Sequence, residues 1–330
     1  REGGARGDCA AGERRGSGGS ERGSAGDMRD RGEEAALVDG TQGRAGQVDG
    51  VINNGGGQFF AQASTISPRG WDAVIATNTS SLTLAEMAAS MRRPGRLVGL
   101  HFFNPVHRMP LVEVVRSEAS DPDAVGCALA FAHRLGKVPV EVADSPGFLV
   151  NRVLTPYLNE ALLLVECGVA IARIDGALER FGMPMGPLRL LDEIGLDVTH
   201  HVAGRLAPVF GDRLPASDAS RLMCEAGRLG KKAGSGFYRY GKGKPRPQDP
   251  SSVLGGVATS AVSPSDEEII DRCVLLMLNE ACYALQERIV GSAAFLDLAM
   301  VMGTGFAPFR GGILRYADAA GVAALRGRLV

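Results

Sequence analysis

The chain has 330 residues, 45% of them hydrophobic, and balances 36 lysines and arginines against 37 aspartates and glutamates for a formal net charge of -1. That length allows two ordinary domains with real cores, and the charge balance argues against nucleic acid or an anionic membrane as the principal partner. Six scattered cysteines form no Cys-x-x-Cys pair or zinc-like spacing, which points to a reduced, cytoplasmic setting. No apolar run is long enough to span a bilayer, and the first residues lack the apolar centre of a signal peptide.

Residues 1 to 47 are dominated by Gly, Arg, Ala, Ser and Glu and carry no helix or strand period, so they read as disordered and of low complexity, consistent with a misread or out-of-frame stretch. From Val48 an α/β pattern begins. Val48 to Ile52 reads as a strand, Asn53 to Gly57 as a turn and Asp72 to Thr77 as a buried strand. A helix is expected over Leu82 to Met91, then strands at Leu97 to Phe103 and Leu111 to Val115 joined by a loop with Asn104 and Pro105. Ala124 to Leu135 reads as a helix closed by Gly136, and Val138 to Val142 as a strand, so that this domain, residues 48 to 144, ends near Asp144.

The class then changes to helical. Phe148 to Cys167 is a long apolar-periodic helix entered through Pro146 and Gly147. Residues 145 to 240 form a first helical unit, 241 to 262 a Gly-, Lys- and Pro-rich linker, and 263 to 330 a second helical unit. The second unit repeats the first. Asn151-Arg152, Asn159-Glu160-Ala161, Asp175, Gly186, Arg189 and Asp192 are answered by Asp271-Arg272, Asn279-Glu280-Ala281, Asp297, Gly311, Arg315 and Asp318. An ordered series of this kind indicates an internal duplication whose copies pack on each other, the second lacking a counterpart to Val202 to Tyr240.

The segment from Leu100 to Val115, L-H-F-F-N-P-V-H-R-M-P-L-V-E-V-V, puts His101 at the end of one strand and Glu113 inside the next. A hairpin-like return joins them, and a carboxylate on one imidazole N–H makes the other nitrogen a better general base for an alcohol proton. A satisfied core histidine beside a glutamate on a solvated strand face fits the same spacing. His200 and His201 are adjacent on a helix, about 100° apart, which disfavours a shared metal ion; no metal site is expected.

The run H-F-F-N-P-V-x-x-M-x-L-V-E-V-V resembles the active-site stretch of the L-3-hydroxyacyl-CoA dehydrogenase family. So, in order, do Ala76 to Leu82 (A-T-N-T-S-S-L), Asp144 to Arg152 (D-S-P-G-F-L-V-N-R), Gly182 to Pro187 and Gly230 to Tyr238. The resemblance implies a partial Rossmann-like dinucleotide-binding domain followed by an all-α domain of two duplicated repeats. It also implies NAD as cofactor, an acyl-CoA substrate and a homodimer formed through the helical domain. It makes His101 the general base and Glu113 its orienting partner. Ser80 and Asn151 become substrate-binding residues, and Asn78, Asn104 and Lys232 cofactor contacts. Helix capping explains Ser80 and Asn151 as well, and turn stabilisation explains Asn104. Asp271 stands in the second copy where Asn151 stands in the first; a carboxylate cannot donate to a substrate carbonyl, so only the first copy is equipped for substrate.

The run from Asp297 to Asp318 is similar to the second helical repeat of multifunctional β-oxidation proteins, whose hydratase region has no counterpart here. The family's Gly-x-Gly-x-x-Gly turn, which receives a pyrophosphate on a helix N-terminus, occurs nowhere in the chain. Residues 48 to 78 instead resemble the Asn-Asn-x-Gly strand of short-chain dehydrogenase/reductases. The two patterns meet at Asp72 to Asn78, as in a recombined or mis-assembled reading frame. The expected activity is NAD-dependent oxidation of L-3-hydroxyacyl-CoA to 3-ketoacyl-CoA in fatty-acid β-oxidation. The competing expectations are a silent acyl-CoA-binding or dimerisation module and, third, a short-chain reductase fragment.

Overall fold

The near-continuous apolar runs expected as strands at Leu97 to Phe103 and Leu111 to Val115 form the centre of a five-stranded sheet in the computed structural model, buried on both faces. The structure describes residues 50–53, 74–77, 83–89, 91, 93–215, 217–255 and 264–328. All of them fall in one unit, Asp49–Val330. The low-complexity reading of residues 1 to 47 lies outside the described residues.

The sheet runs in chain order: β1 (Gly50–Asn53), β2 (Val74–Thr77), β3 (Leu97–Phe102), β4 (Leu111–Arg116) and β5 (Val138–Ala143). β1, β2 and β3 are parallel, β4 turns back antiparallel to β3, and β5 is parallel to β4. The short helix α1 (Leu84–Ala88) is only half as long as the helix expected over Leu82 to Met91. Thr83 takes the N-cap, its side chain accepting from Glu86 N–H while Glu86 accepts from Thr83 N–H, so the first turn starts later. β1 ends one residue beyond the expected strand, and Val48 and Asp49 lie outside the described residues.

The two sheet faces are covered differently. Val98, Leu100, Phe102, Val112 and Val114 pack under α2 (Pro122–Arg134) through Ala124, Val125, Ala128, Phe131 and Ala132. Leu97, Leu111 and Val115 point the other way, into the core shared with the helical domain. Because side chains alternate along a strand, His101 and Glu113 belong to this second face.

The helical domain holds α3 (Val150–Glu166), α4 (Ile171–Phe181), α5 (Pro187–Ile194), α6 (Leu196–Phe210), α7 (Ala219–Glu225), α8 (Ser251–Leu254), α9 (Asp266–Gln286), α10 (Ala293–Thr304), α11 (Ile313–Ala320) and α12 (Val322–Arg328). Part of the stretch expected as a linker is ordered. β6 (Tyr238–Arg239) pairs antiparallel with β7 (Arg246–Pro247), and α8 follows. The strands are two residues long, too short to show a period in the sequence.

The duplication is visible as reciprocal bonding. Arg152 of the first copy donates to Glu280 of the second at 2.7 Å, and Arg272 of the second donates to Glu160 of the first at 2.6 Å. Asp175 accepts from Leu188 and Arg189 N–H at the start of α5, and Asp297 accepts from Leu314 and Arg315 N–H at the start of α11. An added Cβ on Gly186 would fall 2.1 Å from the Asp175 Cβ, and one on Gly312 would fall 2.3 Å from the Asp297 Cβ. Glycine is therefore required at both helix starts. The structural partner of Gly186 is Gly312, not the adjacent Gly311 that the sequence series pairs with it. The copies do pack on each other, through α3 and α9.

Arg152 is 1% exposed and also donates to Glu287 at 2.8 Å. Arg152→Met strands Glu280 in the core with, among the described residues, Arg213 as its remaining ion-pair partner at 3.4 Å. It should cost about 3–5 kcal/mol in urea unfolding. Arg272→Met, at a half-exposed guanidinium whose partner Glu160 is buried, should cost less, about 1–3 kcal/mol. Equal losses at the two sites would contradict this asymmetry.

Burial pushes the Asp175 carboxyl up to about 6, against the lowering effect of the Tyr238 hydroxyl and the two α5 N–H groups. The folded state thus binds this proton more tightly than the unfolded chain does. Its contribution is full at low pH and is lost as pH rises through about 6. Relative to Asp175→Asn, the parent protein should lose roughly 2 kcal/mol of stability between pH 4.5 and 7.5. A pH-independent difference between the two unfolding curves would exclude this.

Candidate active site

The β3–β4 register pairs His101 directly with Glu113, which brings their side chains together on one face. His101 Nδ1 lies 2.7 Å from Glu113 Oε2. The other carboxylate oxygen, Oε1, accepts from Leu149 N–H at 3.1 Å and Val150 N–H at 2.8 Å. Those donors are the opening of α3, so the positive end of that helix faces the carboxylate. Glu113 is 0% exposed and His101 12% exposed at the side chain.

The approach to α3 is built for this. Gly147 has φ +73, and a Cβ there would meet Leu206 at 2.8 Å. Phe148 follows at φ +51, a region that an aromatic residue seldom occupies and that is favoured at sites where geometry is fixed by function. Its ring meets the imidazole edge-on at 5.3 Å, and the Phe103 ring does so at 4.8 Å on β3's own extension. The histidine is held between two apolar edges with one nitrogen committed to Glu113. Among the described residues no hydrogen bond engages Nε2.

Beyond His101 the loop to β4 is clamped from below. Lys137 donates its amino group to the carbonyls of Val106 at 2.5 Å and Met109 at 2.8 Å, and the Asn104–Pro105 bond is cis. Asn104 is exposed on that loop. Asn151 stands half-buried in the first turn of α3, next to the residues that bind Glu113, and its carbonyl accepts from the Thr155 hydroxyl. Asp271, its counterpart, is held in an ion pair by Arg328 of α12. That locks the second copy's position into structure.

Other expected site residues are not joined to this group. Lys232 donates to Asp197 at 2.5 Å at the start of α6, a bond that holds the Asp197 carboxyl below its usual range, and Lys231 pairs with Glu193. No hydrogen bond links Lys232 to the His101–Glu113 pair among the described residues. Asn78 and Ser80 lie outside the described residues. His200 faces the Ser220 hydroxyl at 3.4 Å, and His201 accepts from Arg205 at 3.2 Å. Among the described residues no group of three or more His, Cys, Asp or Glu side chains could hold a metal ion. No helix there is long and apolar enough to cross a membrane.

Sequence reasoning missed the two backbone N–H groups, the flanking rings and the Lys137 clamp. The N–H groups have no signature of their own, although Pro146 and Gly147 mark the entry that aims them. Phe103 and Phe148 were part of the quoted motifs, yet nothing in their spacing shows that both reach one imidazole.

A mixed α/β sheet with three parallel strands and a histidine–carboxylate pair across its antiparallel β3–β4 ladder, packed on a helical domain, fits a dinucleotide-dependent dehydrogenase architecture. Comparison with known proteins narrows the class. The 3-hydroxyacyl-CoA dehydrogenase NAD binding domain matches residues 57–145, and the 3-hydroxyacyl-CoA dehydrogenase C-terminal domain matches 147–240. FadB2 of M. tuberculosis is 34% identical, with a TM-score of 0.52 over 64% of this chain and 84% of that one. The 3-hydroxybutyryl-CoA dehydrogenase of Escherichia coli K12 is 27% identical, with a TM-score of 0.67 over 84% of this chain and 76% of that one. The chain belongs to the 3-hydroxyacyl-CoA dehydrogenase family, whose N-terminal domain binds NAD.

Among curated relatives, the fatty acid oxidation complex subunit alpha of Pseudomonas syringae pv. tomato is 43% identical over 284 residues, 84% of this chain and 39% of the relative. The chain thus spans about two fifths of the length of these relatives. The short chain dehydrogenase family also matches, over residues 6–98. That match includes residues 48 to 78, where the sequence resembles that family, and overlaps the NAD binding domain from residue 57. It also reaches back into a stretch whose composition alone suggests low complexity.

Proposed function

We propose that this chain oxidises the 3-hydroxyl of an L-3-hydroxyacyl-CoA to the 3-ketone in fatty-acid β-oxidation, with His101 as general base. The observation that carries the proposal is the buried Glu113 carboxylate, bonded through one oxygen to His101 Nδ1 and through the other to the start of α3. This arrangement favours the tautomer with the proton on Nδ1 and leaves Nε2 to take the hydroxyl proton. As the imidazolium forms, Glu113 meets its charge across 2.7 Å. Asn151 orients the substrate through its amide, and Ser80 is proposed to share that task.

The cofactor's two ends fit unequally. β1, β2 and β3 present their C-terminal ends along one edge, the edge at which open α/β sheets take dinucleotides, and Asn104 is exposed just past β3. Asn104, with Asn78 and Lys232, is proposed to hold NAD. At the phosphate end the chain has no Gly-x-Gly-x-x-Gly turn, and the residues after β1 lie outside the described ones. When bound, NAD supplies the acceptor for the hydride leaving the substrate's C3.

A cytoplasmic setting is supported by five free cysteines among the described residues. A homodimer through the helical domain is supported only by the resemblance, and it needs a surface other than the α3–α9 interface, which one chain fills by itself.

His101→Gln should reduce kcat by on the order of 10² to 10⁴ with acyl-CoA and NAD binding retained. Glu113→Gln puts an amide where donors now converge and should lower kcat by up to about 10⁴. NAD titration followed by turnover of an L-3-hydroxyacyl-CoA checks both. Saturable NAD binding with unchanged turnover in His101→Gln would refute the assignment of the base; acyl-CoA binding without saturable NAD binding by the parent chain would favour a silent module.

A further inference from the structure

We propose that Gly303, in the last turn of α10, is a positioning residue for the His101–Glu113 pair, so that the second helical repeat is a working part of the catalytic centre. The proposal rests on the assignment of that pair made above. Gly303 belongs to the Met302-Gly-Thr-Gly-Phe306 stretch, which marks the second repeat in sequence but has no part in the chemistry described so far.

A glycine inside a helix is disfavoured by its backbone entropy, and its presence there commonly reports a close approach by a neighbour. Gly303 is approached from two sides. A Cβ at this position would fall 2.8 Å from Leu111 Cδ2 and 3.2 Å from both γ-carbons of Val150. Leu111 opens β4, two residues before Glu113 and on the same face. Val150 is the residue whose N–H donates to Glu113 Oε1 at 2.8 Å. Gly303 therefore lies against both the strand that carries Glu113 and the helix end that anchors it.

The two neighbours differ in how they can yield. Leu111 meets the glycine through the far end of a flexible side chain. Val150 is β-branched and strongly prefers one χ1 rotamer, so a push on its γ-carbons is passed to its backbone more readily than one on the Leu111 tip. Its backbone N–H is the group that holds Glu113. A side chain at position 303 is thus transmitted through Val150 to Glu113 and from there to His101 Nδ1. The second repeat is fixed where this matters: Ala143 N–H at the end of β5 donates to the Ile289 carbonyl at 2.8 Å, and Glu280 holds Arg152.

The test compares Gly303→Ala and Gly303→Val with Gly291→Ala, a position in the same repeat where an added Cβ meets nothing within 4 Å. The first readout is the His101 imidazole resonance by 15N NMR, which needs no turnover. It should move in both Gly303 variants, more in the valine, and stay in place in Gly291→Ala. The second readout is kinetic: Gly303→Val should lose roughly tenfold or more in kcat, since small misplacements of catalytic groups carry costs of that order. The KM for NAD should hold, and Val150→Ala should restore part of the loss, because it removes the obstructing carbons and keeps the N–H. Gly303→Ala keeps the test usable where the valine variant fails to fold. An unmoved His101 resonance in a folded Gly303 variant overturns the proposal, as does a kcat loss that only follows the folded fraction. A parent chain without turnover, whose His101 resonance still moves in the variants, overturns the proposed function and leaves the positioning role standing.

Discussion

A single buried carboxylate organises this molecule. Glu113 sits on a central strand with no exposure, and its two oxygens are shared between a histidine on the neighbouring strand and the first N–H groups of a helix in the next domain. A buried charge needs such partners, because leaving one unpaired costs several kcal/mol. The sheet supplies the histidine and the helical domain supplies the dipole. Neither alone satisfies the carboxylate, which ties the domain junction to the chemistry proposed for it.

The duplicated helices follow from the same demand for satisfied charge. Each copy sends an arginine into the other and receives one in return, while an aspartate on each copy closes its own short helix against a glycine. The copies have diverged where the first meets substrate in the proposed reaction. Asn151 is half-buried in its first turn, whereas Asp271 is held by Arg328. The second copy contributes support instead, reaching β4 and the start of α3 through α10.

Much of this was legible in the sequence, and the reasons are specific. The near-continuous apolar runs in Leu97 to Phe102 and Leu111 to Arg116 mark the two strands, so opposing His101 and Glu113 needs only a return between them. The repeat was legible because its charged and small residues keep their order. Its reciprocity was not: spacing shows that Arg152 and Arg272 correspond, but not that each crosses to the other copy's glutamate. Adjacent Gly311 and Gly312 cannot be told apart until the Asp297 side chain is seen packed on one of them. The β6–β7 ribbon escaped because a Gly-, Lys- and Pro-rich turn dominates its composition. Backbone donors such as Val150 N–H escape any reading based on residue type.

The account's central claim is that Glu113 fixes the tautomer of His101, and 15N NMR of the imidazole tests it most directly. The chain has five histidines, and the His101 signals can be assigned as those lost in a His101→Gln spectrum. For the neutral imidazole the account predicts a proton on Nδ1, bonded to Glu113, and an unprotonated Nε2. A neutral His101 carrying its proton on Nε2 would contradict it.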